Sequence, residues 1–194
     1  MDENLYFDGW KAGLGEFVEG RGGEWSVAQC TSGGGSCENY CFQGKMLYRK
    51  QELEVEQVAY CPGVLSNDPI GVGQLVFRCR SRAEKKVGLG LSRWDWFGRL
   101  LPGNTRSGNA AIDAVFRVRC SDAELARRIF AREEVAGLLL ANPWLLLRVE
   151  TKWGCITVLL KDLIARTYTG EELASFARCV EAVADELLAL YYAR

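Results

Sequence analysis

The chain contains no histidine, and that absence decides more about its chemistry than any residue present. Without imidazole, Ser-His-Asp and Cys-His catalysis, imidazole proton shuttling and every His-containing metal site are excluded. Carboxylate, lysine, tyrosine and cysteine chemistry remain, and each needs a supporting constellation. Cysteine is plentiful, with eight residues at Cys30, Cys37, Cys41, Cys61, Cys79, Cys120, Cys155 and Cys179. Only the first three cluster. Cys37 and Cys41 form one loose knuckle, which would need Cys30, Cys61 or Cys79 to complete four thiolates, and no second knuckle follows; no bound metal is expected. Cys30 and Cys37 flank Gly33–Gly35 and could bridge a hairpin, although a reducing compartment keeps thiols free. The remaining reading is that these cysteines serve as small buried hydrophobes. A nucleophilic cysteine would depend on a neighbouring lysine. The three glycines lack the following Lys-Ser/Thr and the helix start of a phosphate loop, and read as a hairpin tip. Asp113 and Glu133-Glu134 supply carboxylates, but nothing in their spacing converges two on one site, and Glu133-Glu134 fits the first turn of a helix. The expectation is no catalytic residue, no cofactor and no metal.

The most unusual stretch lies between Arg78 and Arg106, where eight basic residues face two acidic ones, whereas residues 1–60 hold ten acidic and five basic. Within it, SRWDWFGRLLPGN crowds Trp94, Trp96, Phe97, Leu100 and Leu101 into eight positions. Aromatic and Arg residues anchor interfaces, so Arg93, Trp94, Trp96, Phe97, Arg99 and Leu100 are the candidate partner-binding residues. The competing structural reading is a short helix on the sheet with its aromatics in the core. The leading functional expectation is a non-enzymatic binding or assembly module that meets a protein partner or a second copy of itself. An anionic membrane surface met through the same loop, with Lys85 and Lys86, is the second reading, and an enzyme without histidine chemistry the third. A net charge of −1 and a pI near 5.7 give no global field to gather nucleic acid.

These residues must be positioned by one domain. At 194 residues, 48% hydrophobic and 25% charged, the chain has the balance of a globular protein with a single core. Glu3–Gly9, ENLYFDG, resembles a viral protease recognition site with Asp8 in place of Gln, so residues 1–8 read as a tail and residues 9–194 as the domain. Met1 to Phe7 is acidic and lacks an apolar run, so it is not expected to act as a secretory leader, and the longest apolar run, Val135 to Leu147, is broken by Asn142 and Pro143. Cytoplasmic residence is the expectation.

The first half reads as strands: Trp25 to Cys30, Glu38 to Phe42, Met46 to Arg49, Leu53 to Tyr60 and Gly73 to Arg80. Leu53, Val55, Gln57 and Ala59 alternate with Glu52, Glu54 and Glu56, which marks a half-buried strand; Arg78 and Arg80 recur on the outside of the next, set to pair with those glutamates. Ala114 to Arg119 is strand-like. Ser121 and Glu124 then form a capping box for a helix to about Phe130, and Glu133 to Ala141 gives a second helix stopped before Pro143. Trp144 to Glu150 and Cys155 to Leu160 read as strands. Thr169 and Glu172 cap a long helix whose stripe is Leu173, Phe176, Val180, Val183, Leu187 and Leu190. The expected architecture is α+β: an antiparallel sheet of five to seven strands under this helix and two shorter ones.

Within AIDAVFRVRCSDAELARRIF, which ends at Phe130, Asp113, Phe116, Val118, Asp122 and Ala126 resemble an FD..F.V...D...A..LL block that joins a strand to a helix in small uncharacterised bacterial domains, with Ile112 in place of Phe. The resemblance implies an α+β fold and carries no activity with it.

Overall fold

The computed structural model describes residues 3–30, 38–61, 71–83, 85–93, 104–164 and 166–191. In chain order its elements are α1 (Glu3–Glu19), β1 (Glu24–Cys30), β2 (Glu38–Tyr48), β3 (Gln51–Cys61), β4 (Gly71–Val72), β5 (Val76–Arg82) and β6 (Gly88–Arg93). There follow α2 (Ala110–Val115), β7 (Phe116–Cys120), α3 (Ala123–Ala131), α4 (Glu133–Ala141), β8 (Leu145–Lys152), β9 (Cys155–Asp162) and α5 (Gly170–Tyr191). The strands form one antiparallel sheet in the order β1-β2-β3-β5-β9-β8-β6-β7, with the two-residue β4 beside β3. The architecture is α+β, and the sheet is wider than the five to seven strands expected.

Alternation decides which face is covered. Leu53, Val55 and Ala59 on β3, Phe77 and Cys79 on β5, Ile156, Val158 and Leu160 on β9, and Leu145, Leu147 and Val149 on β8 point into one core. Over it lie α1, packed on β1 and β2, and α5, packed on β5 and β9; α3 and α4 lean on α5. The expected stripe of α5 is buried through Leu187 and partly at Leu190, with Val180 fully inaccessible. Thr169 and Glu172 make the reciprocal capping box: the Glu172 amide donates to Thr169 Oγ1 at 3.2 Å, and Glu172 Oε2 accepts from the Thr169 amide at 2.8 Å.

Several boundaries differ from expectation. The two expected strands at 38–42 and 46–49 merge into the single strand β2, which ends at Tyr48 and turns into β3 through Arg49 and Lys50 at φ 47° and 68°. No glycine marks this two-residue turn. α1 had no expected counterpart, and the expected tail boundary at residue 8 falls inside it. Its stripe of Trp10, Leu14 and Val18 is interrupted by glycines that weaken helix propensity. One glycine opposite it explains the fit: a Cβ on Gly44 would lie 2.5 Å from Val18 Cγ2, so only a bare backbone lets α1 settle on β2. β6 is short, holds two glycines, and escaped a reading tuned to longer alternation. The start of the expected strand at Ala114 is the last turn of α2, so the strand begins at Phe116.

The α3 cap also moves. Asp122, not Ser121, accepts from the Glu124 and Leu125 amides, while Ser121 Oγ accepts from the Gly88 amide. Tyr191, at the end of α5, donates to Asp122 Oδ2 at 2.5 Å. The FD-like block thus runs helix, strand, helix, with its second Asp capping α3.

Two outcomes follow. Val180→Asp buries an unpaired charge at the middle of the α5 stripe and is expected to cost about 3–5 kcal/mol in denaturant unfolding; an unchanged midpoint would put the stripe in solvent. The Tyr191 hydrogen bond and the α3 amides hold the Asp122 carboxyl below its usual range. A lowered folded value stabilises above the unfolded one and is lost as pH falls through it. Asp122→Asn keeps the cap without the charge, so its stability deficit, up to about 1 kcal/mol at neutral pH, is expected to close below about pH 4.

Candidate docking surface

Of the six candidate partner-binding residues, Arg93 is described; Trp94, Trp96, Phe97, Arg99 and Leu100 lie outside the described residues. Arg93 ends β6 opposite Phe116 on β7. Its guanidinium sits 4.8 Å from the centre of the Trp144 ring, a stacked cation–π contact. Trp144 is 50% exposed and adjoins two further exposed apolar side chains, since the Leu163 amide donates to the Trp144 carbonyl at 3.4 Å and Ile164 follows. The last turn of α4 supplies exposed Leu140. Single exposed hydrophobic residues are ordinary, but Trp144, Leu163 and Ile164 together at one end of the sheet, with a cation on the Trp face, make an interface-like patch.

Local chemistry forces these side chains outward. Pro143 cannot continue α4, and Asn142 caps its end by donating from its side chain to the Leu138 carbonyl at 3.0 Å. The Leu145 amide returns to the Asn142 carbonyl, and Trp144 is left at the corner. On the other side, buried Asp162 shapes the turn after β9. Its carboxylate accepts from the Ile164 amide at 2.9 Å and the Tyr168 hydroxyl at 3.0 Å, and Arg166 Nε approaches to 3.5 Å. Burial, then the Asp162 charge, raises the Tyr168 phenol well above its ordinary value, so it stays a donor. Arg166 continues to Glu172 at 2.5 Å and stacks on Tyr168. Below this turn Gln57, expected on the apolar face of β3, is 1% exposed and fully engaged: Trp10 Nε1 donates to its Oε1, and its amide donates to the Gly73 and Arg166 carbonyls.

The glutamate–arginine pairing expected between β3 and β5 is present. Arg78 reaches Glu56 at 2.6 Å, and Arg80 reaches Glu54 at 3.1 Å and Glu52 at 3.7 Å, around a groove of about 180 Å³ on the open sheet face. Two members of the basic stretch are therefore neutralised. The α5 carboxylates are likewise answered by arginine: Glu186 by Arg128 and Arg132, Asp185 by Arg49, and Glu181 by Arg21. These pairs tie α5 to α3, α4, the β2–β3 turn and the end of α1. Glu133 and Glu134 do open α4, as expected, at the rim of an open depression of about 490 Å³ with Leu138, Ser175 and Arg178.

Among the described thiols, Cys41, Cys79 and Cys179 are buried as core, Cys120 is half-buried and Cys155 is exposed. Burial pushes Cys79 and Cys179 up to about 12, far from the thiolate form at neutral pH. The side chains of Cys30, Cys37 and Cys61 lie outside the described residues, and with them the question of a knuckle or bridge. Among the described residues, no three Cys, Asp or Glu side chains converge as a metal site, and no helix is long and apolar enough to cross a membrane. A scan against family models and searches of curated proteins and of solved structures return no match.

Sequence reasoning missed Trp144, Leu163 and Ile164 because it placed Trp144 inside a strand and left residues 163–164 unassigned. The usable signal was Asn142-Pro143-Trp144, a helix stop followed directly by a large ring. Asp162→Ala removes the acceptor that folds the 163–168 turn. It is expected to cost about 2–4 kcal/mol, read by denaturant unfolding, with amide exchange that accelerates more at Ile164 than along β9.

Proposed function

We propose that the chain is a non-enzymatic binding or assembly module, and that it meets a protein partner or a second copy of itself at the Arg93 end of the sheet. The observation that carries this reading is the exposed Trp144–Leu163–Ile164 patch with the Arg93 guanidinium on the Trp144 ring. It lies where the chain leaves β6 for the segment containing Trp94, Trp96, Phe97, Arg99 and Leu100, so the expected anchors and the observed patch are joined by sequence. A ring held by a cation on a rigid corner loses little freedom on binding, which favours it as an anchor. The arginine-paired carboxylates of α5 and the buried thiols of Cys79 and Cys179 support binding over catalysis, because none of them presents an activated acid, base or nucleophile.

A photo-reactive residue at position 144, compared with one at Leu47, an exposed position on β2, tests the reading. Position 144 is expected to give one discrete protein adduct, to a partner or to a second copy, reduced at least fivefold by Leu163→Ser. Equal labelling from both positions, or no adduct from position 144, would overturn it.

A further inference from the structure

The other end of β8 carries a second exposed ring. β8 and β9 are joined by a two-residue turn in which Trp153 and Gly154 sit at φ 50° and 75°, with Lys152 paired to Cys155. Such turns favour Asn or Asp at the first position and Gly at the second, since a bulky side chain in the left-handed region is strained. Gly154 fits that rule. Trp153 breaks it, and its ring is 90% exposed, so neither turn geometry nor core packing explains a tryptophan there. Eight residues of β8, at about 3.3 Å each, separate this tip from the Trp144 patch.

Its surroundings are basic and held in place. Lys152 Nζ lies 4.2 Å from the centre of the Trp153 ring. Ala83 and Val87 are both bound to the hairpin: the Ala83 amide donates to the Gly154 carbonyl at 2.8 Å, and the Val87 amide donates to Thr151 Oγ1 at 2.8 Å. That brings exposed Arg82, Lys85 and Lys86 beside the tip, with Lys85 Nζ 5.5 Å from the Tyr191 ring. In sequence, segments 82–87 and 150–155 hold four cations and two carboxylates, Glu84 and Glu150, and Asp122 at the start of α3 also acts on Lys85.

We propose that this tip is a membrane-docking element, in which Trp153 enters the interfacial layer of an anionic bilayer while Lys152, Lys85, Lys86 and Arg82 contact lipid headgroups. A single ring that projects beyond a ring of cations is the shape of an interfacial anchor, because indole prefers the headgroup level and each nearby Lys or Arg adds attraction to an anionic surface. One observation favours lipid over a protein partner: a protein hot spot is sealed by surrounding contacts that exclude water, whereas the Trp153 ring is 90% exposed, with Lys152 on one face and Gly154 next to it. The other face is open to a base as well as to lipid, and binding to an oligothymidylate separates the two. The proposal goes beyond the protein contact at the Arg93 end and leaves that end free while the tip is on a membrane.

The test is vesicle co-sedimentation with the full chain, using phosphatidylcholine alone and with about a third phosphatidylserine. Wild type is expected to partition onto the serine-containing vesicles only, with a blue shift in emission that is absent from Trp153→Phe. Raising salt to about 0.15 M weakens the binding. Trp153→Asn suits the turn and preserves the melting temperature, so its expected tenfold or greater loss reports on docking and not on folding; Lys85→Gln and Lys86→Gln each weaken partition about fivefold. Trp144→Ala retains it. No preference for anionic vesicles, partition that survives Trp153→Asn, or tighter Trp153-dependent binding to an oligothymidylate would overturn the proposal.

Discussion

The burial of a single sheet face under α5 is the contact on which the rest of the molecule depends. α5 lies over the central strands β5 and β9 and is the common neighbour of α1, α3 and α4. At 22 residues it spans about 33 Å, long enough to brace most of a wide sheet. Remove its apolar stripe and both the strand core and the helical layer lose the surface they share. The arginine–carboxylate pairs around Glu181, Asp185 and Glu186 follow from this geometry: a helix serving three neighbours carries polar groups at each junction, and in partly buried surroundings those groups need partners. Glu186, the most enclosed of them, is met by two arginines.

Covering only one face leaves the other to be stabilised by charge. On β3 and β5 the open face is a ladder of Glu52, Glu54 and Glu56 against Arg78 and Arg80, with Lys45 of β2 at 4.0 Å from Glu52 and Glu54. Cross-strand pairs of this exposure contribute little to stability individually. Their consequence is in recognition, because cations matched strand by strand no longer attract an anionic partner. The uneven charge along the chain is thereby partly cancelled in space, and the cations beside the β8–β9 tip are a different group from Arg78 and Arg80.

The two exposed tryptophans have different physical origins. Trp144 is pushed out by a helix stop and by the buried Asp162 turn beside it, and Arg93 from β6 meets its ring. Trp153 occupies the apex of a hairpin whose backbone would accept a smaller residue more readily. One end of β8 thus presents an apolar patch and the other a basic-aromatic tip, and a rigid strand keeps them apart.

Much of the fold was legible because it rests on short-range periodicity. The alternation of β3 and the three-and-four spacing of α5 name their buried faces directly, and Thr169 with Glu172 locates the start of α5, since capping is a contact between residues three apart. Alternation within each strand likewise set Glu52, Glu54 and Glu56 on one outer face and Arg78 and Arg80 on another, while their pairing rests on the register of β3 with β5. What escaped lacks a local signature. α1 is a glycine-interrupted helix made worthwhile only by Gly44 on a distant strand, and β6 is a glycine-bearing strand defined by its place between β8 and β7. Gln57 looked like one more core position until Trp10, Gly73 and Arg166 converged on it. The amino-acid sequence by itself determined the chemistry excluded by the lack of histidine, the α+β class and the apolar stripes. The strand order, the stacking of Arg93 on Trp144 and the cations around Trp153 were decided by tertiary structure alone, because each depends on residues tens of positions apart whose proximity no local pattern encodes.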